Sequence, residues 1–445
     1  METSWLESCA RHFITRFLGG FITTGCLILR EEGGMTFTFH GSTTGCSLRV
    51  ILIVQNPQFY WKLMTRADIG LADAYIDGDF CFEDKEDGLL NLFMLLVANR
   101  NAKPISEVKK TRGWWSPTFS TAIITSSKLF FKHVMRQNSL TQARRNISRH
   151  YDLGNEIFTL FMDETMSYSC AVFKGENEGL NVGQKRKFSV LIEKARIESK
   201  HEVLEIGCGW GMFAIEVVKQ TGCKYTGISL SKEQLKFAEM KVKEAGLQDH
   251  IRFLLCDYRE LPDTIKYDRI IACEMLEHVG HEYMEDYFCR CESLLAKEGL
   301  LVLQTGLTSL QFISVADAHY DELRRSPNFI WEYIFPGACI PSLSRVTSAM
   351  AAASKLCVEH VENIGSHYPH TLKCWRKNFI NNQSKIMAMG FDEKFIRTWE
   401  YYFDYSAACF MSFKLRDYQV VFSRPGNVEA LGNPYKGFPS AYNAP

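Results

Sequence analysis

The chain predicts a doubly wound α/β domain with a seven-stranded sheet, preceded by a small mixed α+β domain. Three observations predict it. From residue 203 onward, short β-compatible runs alternate with helical periods. The first of these runs, at 203–206, opens into a loop with glycine at 207, 209 and 211, and a helical pattern follows at once. The 445 residues, 46% of them apolar, exceed what one small domain needs to close a core.

In chain order, the first hundred residues give β-like stretches at 35–39 and 48–54, then helical patterns at 59–75 and 89–98. We divide the chain into residues 1–108 (the small domain), a connector at 109–150, and an α/β domain at 151–445. Strands are expected at 203–206, 224–228, 251–255, 269–273 and 299–304, with helices at 212–219, 231–245 and 282–296 between them. Ser231 and Gln234 form a capping-box pattern at the start of the second of these helices. Two later runs, 357–363 and 418–422, complete seven strands. Ligands of such sheets bind at the carboxyl ends of the strands. One irregularity is a Leu-Gln pair that recurs seven residues on, at 303–304 and 310–311, as though a heptad were inserted where the fifth strand ends.

Glycines in that loop let backbone amides approach a ligand at a helix start, as adenosine cofactors require. A nicotinamide enzyme wants an acidic residue at the end of the next strand for the ribose. Here that position is Ser229, followed by Leu230 and, further on, Gln234. The Glu205-x-Gly207-x-Gly209-x-Gly211 form points instead to S-adenosylmethionine.

Composition narrows the rest. Formal net charge is zero, so no overall field selects a partner. Residues 109–150 nevertheless carry nine Lys and Arg and no acid, balanced by nine net negative charges elsewhere. Fifteen cysteines in irregular spacing read as buried thiols of a reduced, intracellular protein rather than a disulfide framework. No secretory signal is evident, and no apolar run approaches the ~20 residues that span a bilayer. The longest mixed run, 13–29, is interrupted by Arg16 and paired glycines. His278 and His281 lack further ligands, so no metal is expected.

Five segments in order make the chain resemble the cyclopropane-fatty-acyl-phospholipid synthases and their mycolic acid relatives. They are Arg149-His-Tyr-Asp-Leu-Gly-Asn155, Met166-Ser-Tyr-Ser-Cys170, the glycine loop, Glu277-His-Val-Gly280 and Tyr333-Ile-Phe-Pro-Gly337. A sixth, Gly70 to Gly78, is similar to the family's N-terminal domain. The match looks closest to the plant forms, and the flavin domain often fused to those is not expected here. The resemblance implies a Rossmann-like methyltransferase that adds a methylene across a cis double bond of a phospholipid acyl chain. It also implies a bound bicarbonate as the base, held by Cys170, Glu277 and Tyr368. Gln304 stands where bacterial members have a histidine, unless the extra heptad moves that place to Gln311. Tyr168 and Ser169 would face the methionine end, with Glu205, Gly207, Cys208, Gly209 and Gly211 beneath. Ser229, Leu230 and Gln234 would reach the ribose, and Asp257 and Tyr258 the adenine. Tyr151 and Asp152 read as structural.

The basic connector interleaves Trp114, Trp115, Phe119, Phe130 and Phe131 with its charges, and Lys128, Lys132 and Arg136 fall on one helical stripe. That pattern suits an anionic lipid surface better than nucleic acid, for which no module is present. The expectation is therefore a cytosolic, peripherally membrane-associated enzyme, with homodimer formation left open. Two competitors stand beside it. One is a methyltransferase of a soluble small molecule, and the other is an inactive lipid-binding homologue.

Overall fold

A computed structural model describes residues 4–42, 45–101, 142, 153–308, 328–433 and 435–443. The basic connector and the Arg149–Asp152 part of the first motif lie outside these residues, apart from Gln142, as does Gln311.

The amino-terminal unit begins with helix α1 (Trp5–Phe21), started by a reciprocal cap between Ser4 and Glu7. Strands β1 (Cys26–Glu31), β2 (Thr36–His40), β3 (Arg49–Val54) and β4 (Phe80–Phe82) form a sheet in the order β2-β1-β3-β4. The run at 13–29 is thus not one apolar segment. Helix α1 ends in it, and Gly25 at φ +72 turns the chain into β1. A methyl group at Gly25 would meet Leu95 Cδ1 at 2.5 Å and the Leu48 carbonyl at 2.9 Å, so only glycine fits that corner. Helices α2 (Gln58–Ile76), kinked at Ala67, and α3 (Gly88–Asn101) complete the unit.

The second unit opens with α4 (Asn155–Phe161) and α5 (Leu180–Ala195). Then follow β5 (Glu202–Ile206), α6 (Met212–Thr221), β6 (Lys224–Ser229), α7 (Lys232–Glu244), β7 (Ile251–Leu255) and β8 (Tyr267–Cys273). After these come α8 (Met284–Leu294), β9 (Leu295–Thr308), α9 (Leu343–Ala353), β10 (Cys357–Asn363), α10 (Tyr368–Asn381), α11 (Gln383–Ala388), α12 (Glu393–Met411) and β11 (Leu415–Ser423). The sheet has seven strands in the order β10-β11-β9-β8-β5-β6-β7. Strands β5 to β9 run parallel, while β11 is antiparallel to both β9 and β10. The chain winds outward from β5 to β7 and then returns to β8 on the other side of β5. The switch point therefore falls at the carboxyl ends of β5 and β8.

Three expectations need correction. Gln234 does not close a capping box: Ser231 Oγ accepts the Gln234 amide, but the Gln234 side chain accepts from Ser229 instead. The strand expected at 299–304 begins at Leu295 and runs on to Thr308, and its pairing with β8 and β11 keeps one register from Leu300 through Gln304. Residues 305–308 are therefore sheet, not an intrusion. The helices α10 and α12 were not foreseen, yet they wall the site described below.

One apolar core crosses both units. Tyr401 of α12 packs against Phe93 of α3 at 5.1 Å and Tyr75 of α2 at 5.8 Å. Tyr75 also donates to Glu400 at 2.6 Å. The last long helix is thus shared by the two units.

Candidate active site

At the end of β5, Gly207 and Cys208 both donate their amides to the Ile228 carbonyl at 3.0 Å, which holds the loop against β6. Gly209 has φ +49, and a Cβ there would meet nothing within 4 Å. That side of the turn faces open space. The space is a cavity lined by all twelve residues expected to hold the cofactor: Tyr168, Ser169, Glu205, Gly207, Cys208, Gly209, Gly211, Ser229, Leu230, Gln234, Asp257 and Tyr258.

Their polar atoms are already organised. Ser229 Oγ donates to Gln234 at 2.9 Å, and the Asp257 carboxylate is clamped by Arg259 at 2.7–2.8 Å. Burial pushes the Glu205 carboxyl up to about 8, opposed by the Tyr225 hydroxyl that donates to it. Sequence reasoning missed Lys187. It is 1% exposed, it lines the same cavity, and its Nζ donates to Ser169 Oγ at 2.7 Å. Its cue was weak, because a lysine inside an amphipathic helix ordinarily faces water. A buried lysine, a glycine turn open to the cavity and a row of hydroxyls fit the carboxylate, sulfonium and ribose portions of S-adenosylmethionine.

Three of the four residues expected at the catalytic site, Cys170, Gln304 and Tyr368, meet at a residue that was not named, while Glu277 bonds elsewhere. Glu274 follows β8 at φ +50, a conformation costing a non-glycine residue roughly 1 kcal/mol. Its backbone amide is fixed by the Gln304 carbonyl at 2.6 Å. Its carboxylate accepts from the Cys170 amide at 2.8 Å, the Gln304 side chain at 3.0 Å and the Tyr368 hydroxyl at 2.5 Å. The Cys170 thiol is fully buried and points to the Ala171 and Ile364 carbonyls, so this residue offers its backbone amide and not its sulfur.

Gln304 cannot turn around. Its oxygen accepts from Gln419, whose own oxygen accepts from Lys194 at 2.7 Å, so its NH2 must face Glu274. Glu277 accepts from Thr305 Oγ1 at 3.0 Å and from the Gly306 amide at 2.5 Å. Burial, and then the nearby Glu274 charge, push Glu277 up to about 8. Asp417 is raised well above the ordinary carboxyl range by the same two causes in the same order.

This geometry does not fit a bound bicarbonate. The donors of Cys170, Gln304 and Tyr368 already serve Glu274, and Thr305 and Gly306 serve one oxygen of Glu277, whose Oε2 is buried without a hydrogen-bond partner. A free anion at these donors would have to displace the Glu274 carboxylate that already occupies them.

A second cavity adjoins the first and shares Tyr168, Glu274 and His278 with it. Its remaining wall is mostly apolar and aromatic, including Phe335, Tyr402, Tyr405, Phe410, Leu372 and Ile330. Tyr368 stacks on Phe410 at 4.1 Å, and Tyr168 packs on Trp375 at 5.1 Å. Burial holds the His278 ring neutral, lowering it to about 4. Tyr333 of the expected Tyr-Ile-Phe-Pro-Gly segment donates to Asp73 of α2, which seats that segment against the amino-terminal unit.

Residues 138–420 match the family described as mycolic acid cyclopropane synthetase. A tuberculostearic acid methyltransferase of Mycobacterium tuberculosis is 34% identical over 367 residues, covering 80% of this chain and 79% of that protein. The cyclopropane-fatty-acyl-phospholipid synthase of Escherichia coli K12 is 30% identical over 376 residues, covering 83% and 87%. Among solved structures, the cyclopropane synthase MmaA2 from Mycobacterium tuberculosis superposes with a TM-score of 0.58 at 26% identity, over 64% of this chain and all of that one. Mycolic acid cyclopropane synthase CmaA1, solved with SAH and CTAB, gives 0.57 at 26%, over 63% and 97%. With the glycine-loop cavity and the apolar chamber meeting at one wall, these matches place the chain in the cyclopropane synthase family of S-adenosylmethionine-dependent methyltransferases.

Proposed function

We propose that this chain adds a one-carbon bridge across the cis double bond of an unsaturated phospholipid acyl chain, forming a cyclopropane. The observation that carries the reading is the shared wall. An apolar, aromatic chamber suited in character to a hydrocarbon adjoins the glycine-loop cavity at Tyr168, Glu274 and His278. When bound, S-adenosylmethionine supplies a sulfonium-activated methyl and leaves as a neutral thioether. Lys187 and Ser169 suit its methionine end, Ser229 and Gln234 its ribose, and Tyr258 its adenine.

An alkene is a weak nucleophile, so holding it against the methyl in a dry site supplies much of the rate. Positive charge then develops on the acyl chain. The faces of Tyr168, Phe335, Tyr402 and Phe410 stabilise such charge without quenching it, as water would. The phospholipid is reached at a membrane surface through the basic, aromatic connector at 109–150.

A second reading is methylation of a lipid without ring closure. Relatives favour it: besides the tuberculostearic acid methyltransferase, a sphingolipid C9-methyltransferase of Candida albicans is 34% identical over 274 residues, 60% of this chain and 52% of that protein.

The test is incubation with methyl-deuterated S-adenosylmethionine and dioleoyl phospholipid vesicles, with saturated vesicles as control. Label in the oleoyl chain with cyclopropane proton resonances is the expected result. A labelled branch or exocyclic methylene moves the assignment to the second reading. Cofactor binding without transfer to either lipid, or transfer only to soluble amines, overturns both.

A further inference from the structure

We infer that Glu274 is the built-in base of this enzyme and that its carboxylate takes the place of a free carbonate-type anion. The inference rests on the proposed lipid reaction for its chemistry, but on the contacts of one side chain for its geometry. Three donors from separate elements converge on this carboxylate: the Cys170 amide, the Gln304 NH2 and the Tyr368 hydroxyl. It lines both cavities, so it reaches the place where cofactor and hydrocarbon meet. Its φ of +50 is one that glycine adopts freely and a side chain rarely does. A strained backbone that nevertheless carries a fully hydrogen-bonded acid points to a use for that acid.

The step balances without a co-reactant. The alkene π pair bonds to the methyl carbon as the carbon–sulfur bond breaks, with its electrons going to sulfur. The other alkene carbon is left cationic. A C–H pair of the added carbon then closes the ring onto that cation, and the proton passes to a Glu274 oxygen. The proton leaves to water through the cofactor cavity when the products depart. Tyr368 and Gln304 are positioning residues that keep the carboxylate aimed.

The experiment compares the full-length chain with Glu274→Gln and Glu274→Gly. The glycine variant relieves the backbone and uncovers the three donors. First, ¹³C-bicarbonate binding is read by NMR line broadening without lipid: none is expected for the parent chain, and saturable binding for Glu274→Gly. Thermal melts followed by circular dichroism should show all three proteins cooperatively folded. Second, in carbonate-stripped buffer Glu274→Gln should lose at least about a hundredfold in turnover, the usual worth of a positioned base. Glu274→Gly should be equally slow there and recover on adding bicarbonate.

Bicarbonate binding to the parent chain, or a Glu274→Gln variant at the parent rate, overturns the inference. If no lipid is turned over by any form, the proposed function fails, while the contrast in bicarbonate binding still decides whether Glu274 fills the anion place.

Discussion

Glu274 and Glu277 both lie in the segment that follows β8, and their surroundings differ. Glu274 receives three donors, whereas Glu277 is pushed up to about 8 by burial and by its neighbour's charge, so it is neutral at pH 7. The two are therefore expected to respond differently to the same substitution. Glu277→Gln keeps an oxygen for the Thr305 and Gly306 donors and removes no charge at pH 7. It should cost about 1 kcal/mol, near fivefold in kcat/KM. Steady-state kinetics beside Glu274→Gln measures the contrast, and equal losses in the two variants would show that Glu277 carries the charge. Sequence motifs pointed to Glu277 and not to Glu274, because a lone acid after a strand carries no signature. What distinguishes Glu274 is its positive φ and its three partners, and both come from tertiary structure.

Among the elements, periodicity exposed what it is able to expose. The parallel strands β5 to β9 are short apolar runs between helical patterns, and the glycine turn between β5 and α6 could be placed on chemistry alone. Helix α1 and strand β1 were hidden because their apolar residues run together through Gly25, and only its left-handed turn separates them. Helix α12 buries every residue from Tyr401 to Phe410, which blurs a single stripe, whereas α10 buries Tyr368, Thr371, Leu372, Trp375 and Phe379 on one face, a spacing that was legible and was overlooked. Strand β9 carries the clearest lesson. The repeated Leu-Gln suggested an insertion, yet Thr305 to Thr308 pair with Tyr418 to Leu415, and Thr305 and Gly306 hold Glu277. Deleting residues 305–311 is accordingly expected to abolish cooperative thermal melting as well as activity. A deletion protein that melts at the parent temperature would show the segment to be dispensable.

Over the whole molecule, one core joins the amino-terminal unit to the catalytic sheet through α12, so the apolar chamber is walled by a helix that the amino-terminal unit braces. No helix among the described residues is long and apolar enough to cross a membrane. For the proposed phospholipid substrate, the proposed membrane contact is the stripe of Lys128, Lys132 and Arg136. Reversing all three charges should weaken cosedimentation with anionic vesicles, most at low salt, and leave cofactor affinity unchanged. Undiminished binding would remove the stripe from the account.

The central claim is that this protein carries its own base at the meeting of two cavities. It is tested most directly by the initial rate of oleoyl phospholipid turnover in buffer stripped of carbon dioxide, before and after bicarbonate is restored. The account predicts the same rate in both. A rate that collapses on stripping and returns with bicarbonate would contradict it.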